Sequence, residues 1–232
     1  MKRTIFVFFI IATIFSTAVS AQNFASERFK KGVAAAQNGN FQAALADFKM
    51  SLDFLGAENS DDEFRARIHY NIGVCLYRLK EHEKAVGEFE RAIRLNPNHE
   101  KSFHSLGMAQ MELKNFSAAE RAFLAALRLN RRNGETWFDL AFVYLAREDY
   151  DSAQKAFLKA IAHKSSDAAI AHNNIGVILA AKGEIEAAVR EFETALRKTG
   201  GKLSVARRNL RFCKALRENP AGGLLAKLEF GG

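Results

Sequence analysis

The chain has 232 residues, of which 48% are apolar, with a formal net charge of +8 and only two prolines. That balance excludes a low-complexity, collagen-like or highly charged disordered chain and fits an ordinary folded protein. The basic excess suits an acidic partner, an anionic envelope surface or plain solubility, and without a recognised module or aromatic–basic interleaving it does not point to nucleic acid.

In chain order, Lys2 and Arg3 precede an apolar run from Ile5 to Phe15 and small residues ending Ala18-Val19-Ser20-Ala21. This is the charged, apolar and small-residue succession of a secretory signal peptide, residues 1–21, cut after Ala21. The apolar stretch falls short of the roughly 20 residues a spanning helix needs, so an uncleaved anchor is the weaker reading. The mature chain is therefore expected to be exported, periplasmic or secreted. Its membrane contact would be limited to a peripheral surface or an uncleaved leader.

From residue 22 to 219 the pattern is helical throughout. A first helix pair covers about 25–58, with Phe29 near its start and a turn at Gly39-Asn40. About seven extra residues follow, including Ser60-Asp61-Asp62-Glu63, which reads as a capping box with Ser60 as N-cap and Glu63 reaching back. It lacks the alternating acids and the glycine of a calcium loop. Further pairs cover 66–99, 100–133, 134–168 and 169–202, the fourth with one extra residue near Ser165-Ser166. Leu203, Ala206, Leu210 and Cys213 then mark the apolar face of a final helix over 203–218. Its other side carries Arg207, Arg208, Arg211, Lys214 and Arg217. After Pro220 the Gly-rich tail, 220–232, is expected to be flexible or to fold back onto the last repeat.

The pairs repeat one template. The first helix carries a small residue at Gly32, Gly73, Gly107, Ala141 and Gly176, and the second carries Ala44, Ala85, Ala119, Ala153 and Ala188. Four residues on stand Phe48, Phe89, Phe123, Phe157 and Phe192, and three further Ser51, Ala92, Ala126, Ala160 and Ala195. Small residues let helices approach closely, and the phenylalanine fills the space between them. Asn96-Pro97-Asn98 ends one such pair, because proline cannot continue the helical ladder. The spacing of about thirty-four residues and these columns resemble the tetratricopeptide repeat, over roughly Ala25 to Lys202. Trp137, Leu140 and Tyr144 add the family's start signature in the fourth copy. The resemblance implies an all-α fold, a right-handed α-solenoid of about five units with a C-terminal capping helix. It also implies a concave groove for a peptide or protein partner.

No sequence motif argues for an enzyme. There is no His-Glu-x-x-His, Gly-x-Ser-x-Gly, phosphate loop or Cys-x-x-Cys, and neither a cofactor nor a metal is expected. His69 and His172 share one column inside the packing stripe and read as core-edge residues. Cys75 and Cys213 are separated by several repeats and read as buried free thiols, too far apart for a disulfide.

A second apolar stripe on the first helices carries the functional reading. It comprises Phe29 and Val33, then Tyr70, Val74 and Tyr77, then His104, Met108 and Met111, then Phe138, Phe142 and Leu145, then Asn173 and Val177. A helix apolar on two faces is buried on both or shows one to a ligand. In the family these columns line the groove, and aromatics with methionines suit an extended or helical apolar segment. Arg67, Arg78 and Lys101 are placed on the rim near repeats two and three, followed by Glu112, Glu135 and Asp139. Some family members grip a terminal carboxylate with Lys, Asn, Asn, Lys and Arg. Here only Asn71 and Lys101 match, with Phe29, Val33 and Ser105 at the other positions, so chaperone-tail binding is not expected. The leading expectation is a non-catalytic scaffold. The alternative is an adaptor resting on anionic lipid or cell-wall polymer through the basic patch Arg207, Arg208, Arg211 and Lys214.

Overall fold

The structure, a computed structural model, describes residues 21–55, 61–218 and 228–231. Among these the chain is helical, with no strand. Helix α1 covers 21–37. It is followed by α2 (Phe41–Leu55), α3 (Asp62–Arg78), α4 (His82–Leu95), α5 (Glu100–Glu112), α6 (Phe116–Leu129), α7 (Gly134–Ala146), α8 (Tyr150–Ala162), α9 (Ala168–Ala181), α10 (Ile185–Lys198) and α11 (Ser204–Glu218). The helices fall into two compact units, residues 1–114 and 115–232. Residues 1–20, read as most of a signal peptide, lie outside the described residues. No described helix is long and apolar enough to cross a membrane.

In the first unit, α3 and α4 form a hairpin, α2 packs against α3, and α4 against α5. In the second, α7 with α8 and α9 with α10 form hairpins, α8 packs on α9, and α11 covers α10 and α9. The repeat columns explain this directly. Phe48, Phe89, Phe123, Phe157 and Phe192 are all at most 1% exposed, and the two small columns of the second helices, Ser51 among them, are at 0%. Phe48, Phe89 and Phe192 lie where the first helix of their pair has glycine and so no side chain. A Cβ on Gly73 would stand 2.6 Å from Phe89 Cε1, and one on Gly176 2.7 Å from Phe192 Cε1. Ser51 keeps its place in an alanine column because its hydroxyl donates to the Ala25 carbonyl at 2.6 Å, so its buried oxygen does not go unpaired.

A turn of common geometry follows the first helix of each pair. Gly39, Lys80, Lys114, Glu148 and Gly183 occupy corresponding positions and all have positive φ, between 59° and 82°. Three of the five are not glycine, which hid the shared left-handed turn from a sequence reading. Two histidine–glutamate contacts also recur. His69 Nδ1 lies 2.7 Å from Glu88 Oε2, and His172 Nδ1 lies 2.6 Å from Glu191 Oε2. Each joins the two helices of one hairpin. Burial pushes the Glu88 carboxyl up, but hydrogen bonds and charge from His69 and Arg91 outweigh it and hold the group below the usual carboxylate range. The column reading of these histidines as core-edge residues is what the geometry contains, and the carboxylate partner is the part it missed.

The start of α3 departs from the expected cap. The N-cap is Asp61, whose side chain accepts from the Phe64 amide at 2.9 Å, whereas Ser60 lies outside the described residues. Asp61 sits three residues before Phe64, the spacing at which a short carboxylate reaches an orphan N–H, and Asp62 and Glu63 in the first turn suit the positive end of the helix. At 17 residues, α3 is longer than α5 or α7 at 13 by about one helical turn. Cys75 and Cys213 are free and fully buried. Burial pushes the Cys75 thiol up to about 11, which leaves it protonated and unreactive at neutral pH.

Candidate functional site

The face that the sequence singles out is best formed on α3 and α5, the first helices of the second and third repeats. Tyr70, Val74 and Tyr77 recur at helical spacing along α3, and His104 and Met108 do so along α5. Together with Arg78, Ser105 and Phe89 they line one cavity of about 180 Å³. Phe89 comes from α4 and forms its floor. Its ring meets Tyr70 at 6.1 Å between centroids, and His99 meets Tyr70 edge to face at 4.9 Å. Tyr77 donates to Glu112 Oε1 at 3.4 Å, across to α5.

The electrostatics favour an uncharged ligand surface with a charged edge. Burial raises the Tyr70 hydroxyl above its ordinary value, against a smaller opposing effect of Ser105. Burial, with repulsion from Lys101, lowers His99, so its ring is neutral at pH 7. Arg67, Arg78 and Lys101 are exposed, as is Glu112, while Met111 is half-buried beside the row. Apolar side chains surrounded by exposed charges are the usual composition of a protein-binding patch. Asn71 does not reach outward, because its amide donates to the Arg67 carbonyl of its own helix at 2.7 Å.

Toward the amino terminus the stripe changes character. Phe29 is 9% exposed. Its ring packs on Phe48 and Phe64 at 5.4 and 5.3 Å, and the Arg67 guanidinium lies 5.2 Å from its centroid. Phe29 therefore belongs to the core, and half-buried Val33 packs beside it. A wider opening of about 570 Å³ lies here between α1 and the start of α3, lined mainly by polar and charged side chains such as Gln22, Asn23, Lys30 and Glu63. Phe29 and Phe64 are its apolar lining residues, set among those polar groups.

In the second unit three expectations change. Phe138, read as part of the groove-lining stripe, is 7% exposed. It meets Phe142 at 5.1 Å and Phe157 at 5.7 Å, edge to face. The three rings contact one another, and these contacts keep Phe138 buried. Phe142 and Leu145 are half-buried against the same cluster. Glu135, read as a rim acid, accepts from the Ser165 hydroxyl at 3.1 Å and the Ser166 amide at 2.7 Å, tying down the loop before α9. Asp139 is half-buried.

The third change concerns Asn173 and Val177. They are 0% and 5% exposed, because residues 228–231 of the chain's own tail lie against α9 and α11. Leu228 packs on the core, and Asn173, Asn174 and Asn209 hold the tail's backbone. Of the two expectations for the tail, folding back describes these four residues. The basic patch is largely engaged as well. Arg208 bridges Glu229 at 2.6 Å, Lys214 bridges Glu193 at 3.1 Å, and Arg207 donates to the Gly201 carbonyl. Arg211 lies near the Phe212 ring at 6.0 Å.

Comparison with known proteins agrees with the repeat columns. Models described as tetratricopeptide repeat match residues 66–99, 100–133 and 138–202. No curated protein matches the chain. Among solved structures, MamA from Desulfovibrio magneticus RS-1 is 18% identical with a TM-score of 0.67, over 77% of this chain and 97% of that one. A thermophilic TPR protein of Thermus thermophilus is also 18% identical, with a TM-score of 0.57 over 83% of this chain and 100% of its own. The first TPR of Spaghetti (RPAP3), solved with an HSP90 peptide, is 20% identical with a TM-score of 0.50 over 55% of this chain and 95% of its own. At such identities the likeness is one of fold.

Proposed function

The chain belongs to the tetratricopeptide repeat family, and from that premise we propose that it is a non-catalytic scaffold that holds a peptide or protein segment on the α3–α5 face. The family's repeats typically mediate protein–protein interaction and are generally non-catalytic. The observation that carries the site is the cavity lined by Tyr70, Val74, Tyr77, His104 and Met108 over Phe89. One apolar side chain of a partner fits there, with Arg78 and Lys101 available to acidic groups beside it. Tyr70 is half-buried over Phe89, so its truncation removes contact surface at the mouth of the cavity.

Tyr70→Ala combined with Met108→Ala is expected to weaken partner capture by about tenfold or more, the loss of one to two anchoring side chains. The helical circular dichroism should stay as in the wild type. Capture at wild-type strength by the folded double variant removes this face from the proposal.

The setting we propose is exported or envelope-associated, on the strength of Lys2, Arg3 and the apolar run to Phe15. Intact mass of the mature protein is the check. A chain starting at Gln22 supports export, and one retaining Met1 opposes it. The alternative of an anionic surface bound through α11 is not favoured, since Arg207, Arg208 and Lys214 already have partners within the molecule.

A further inference from the structure

The tail of the chain is held in a way that side-chain packing alone does not require. Asn173, Asn174 and Asn209 are each 0% exposed, and three buried amides need a full set of partners. They find them in each other and in the backbone of alternate tail residues. Asn209 Oδ1 accepts from the Glu229 amide at 3.0 Å, and Asn209 Nδ2 donates to the Glu229 carbonyl at 2.7 Å. Asn174 repeats the pattern two residues on, accepting from the Gly231 amide at 2.6 Å and donating to its carbonyl at 2.7 Å. Asn173 lies between them, donating to Asn174 Oδ1 at 3.1 Å and accepting from Asn209 Nδ2 at 3.0 Å.

Each of the outer amides thus treats its tail residue as a neighbouring strand would, satisfying both N–H and C=O. The period of two is that of an extended peptide. Main-chain bonds of this kind give affinity for any extended segment, and the side-chain positions then choose among sequences. Leu228 packs on the core. Glu229 makes two contacts with Arg208, at 2.6 and 2.7 Å. Phe230 is 40% exposed and leaves its position open to other side chains. At position 231 a Cβ would stand a tight 3.1 Å from the Ile170 Cγ2 methyl, so that place favours glycine.

We propose that Asn173, Asn174 and Asn209 form a binding site for the main chain of an extended peptide of the pattern apolar–acidic–any–glycine, and that residues 228–231 are its resident ligand in cis. A segment of another polypeptide with this pattern then binds only by displacing the tail. The site lies on α9 and α11 and does not depend on the α3–α5 face.

The probe is a fluorescently labelled peptide, Lys-Leu-Glu-Phe-Gly-Gly, copying residues 227–232 and read by anisotropy. A chain ending at Lys227 is expected to bind it at least about tenfold more tightly than the full chain, because a tethered segment competes at an effective concentration near the millimolar range. Asn209→Ala in the shortened chain abolishes the binding, whereas Tyr70→Ala leaves it unchanged, which separates this site from the first. Equal binding by the full and shortened chains overturns the proposal. So does a folded shortened chain that ignores the peptide. A second readout needs no truncation. In the full chain the Glu229 and Gly231 amides should exchange with deuterium far more slowly than free peptide amides, and exchange at the free-peptide rate contradicts the proposal.

Discussion

Replacing Phe89 with alanine is expected to destabilise the first unit by about 3–5 kcal/mol, the usual cost of deleting a fully buried phenylalanine. The ring is 1% exposed and lies against Gly73 with no room between them. The void would open directly beneath Tyr70, since Phe89 also forms the floor of the cavity. Urea denaturation read by amide exchange in α3 to α5 measures the loss. A change under about 1 kcal/mol would mean that the phenylalanine column does not set the packing. Phe192→Ala, in the same column of the second unit, is expected to behave alike.

Gly134→Ala is the second large effect, and it separates glycines that look equivalent in sequence. A Cβ there would stand 2.8 Å from the His163 carbonyl oxygen and 2.8 Å from the Ser165 amide nitrogen. Both are backbone atoms at the end of α8, so nothing flexible can give way. The cost is expected at about 1–3 kcal/mol, as for other overpacked sites. Gly73→Ala should cost less, although its Cβ would stand only 2.6 Å from a ring carbon. The fourth repeat already carries Ala141 in that column, fully buried, so the hairpin has a packing that accepts a methyl group. Gly87, inside α4, has nothing within 4 Å of its Cβ position, and its change to alanine should add about 0.5–1 kcal/mol through helix propensity. Thermal melting of the three variants gives the order directly. A Gly134→Ala protein as stable as Gly87→Ala contradicts it.

The repeat was legible because it is written in residue size. Glycine or alanine facing phenylalanine recurs at one spacing in each copy, and that pattern alone places the hairpins and their shared core. The stripe of Tyr70, Val74, His104 and Met108 was legible for a similar reason, since its period is helical and its residues are mostly apolar. The same logic misplaced Phe138. Periodicity assigns a residue to a face of its helix, but it cannot say whether Phe142 and Phe157 already cover that face. The tail contact was hidden more completely. Asn173, Asn174 and Asn209 stand on two helices, and their partners are backbone atoms about 20 to 57 residues away, which leave no mark in a side-chain pattern. One signal was available. Two adjacent asparagines in a helix otherwise composed mostly of apolar residues, Ile170 to Leu179, need polar partners if that helix is buried.

The proposed role rests on the α3–α5 face meeting another polypeptide. Benzoylphenylalanine placed at Met108, within the cavity, or at Glu90, exposed on α4, tests this by light-induced crosslinking in the native extract. The account predicts a discrete protein adduct from position 108, absent from position 90 and lost when Tyr70→Ala is added. The same adducts from both positions, or an adduct at 108 indifferent to Tyr70, would contradict it.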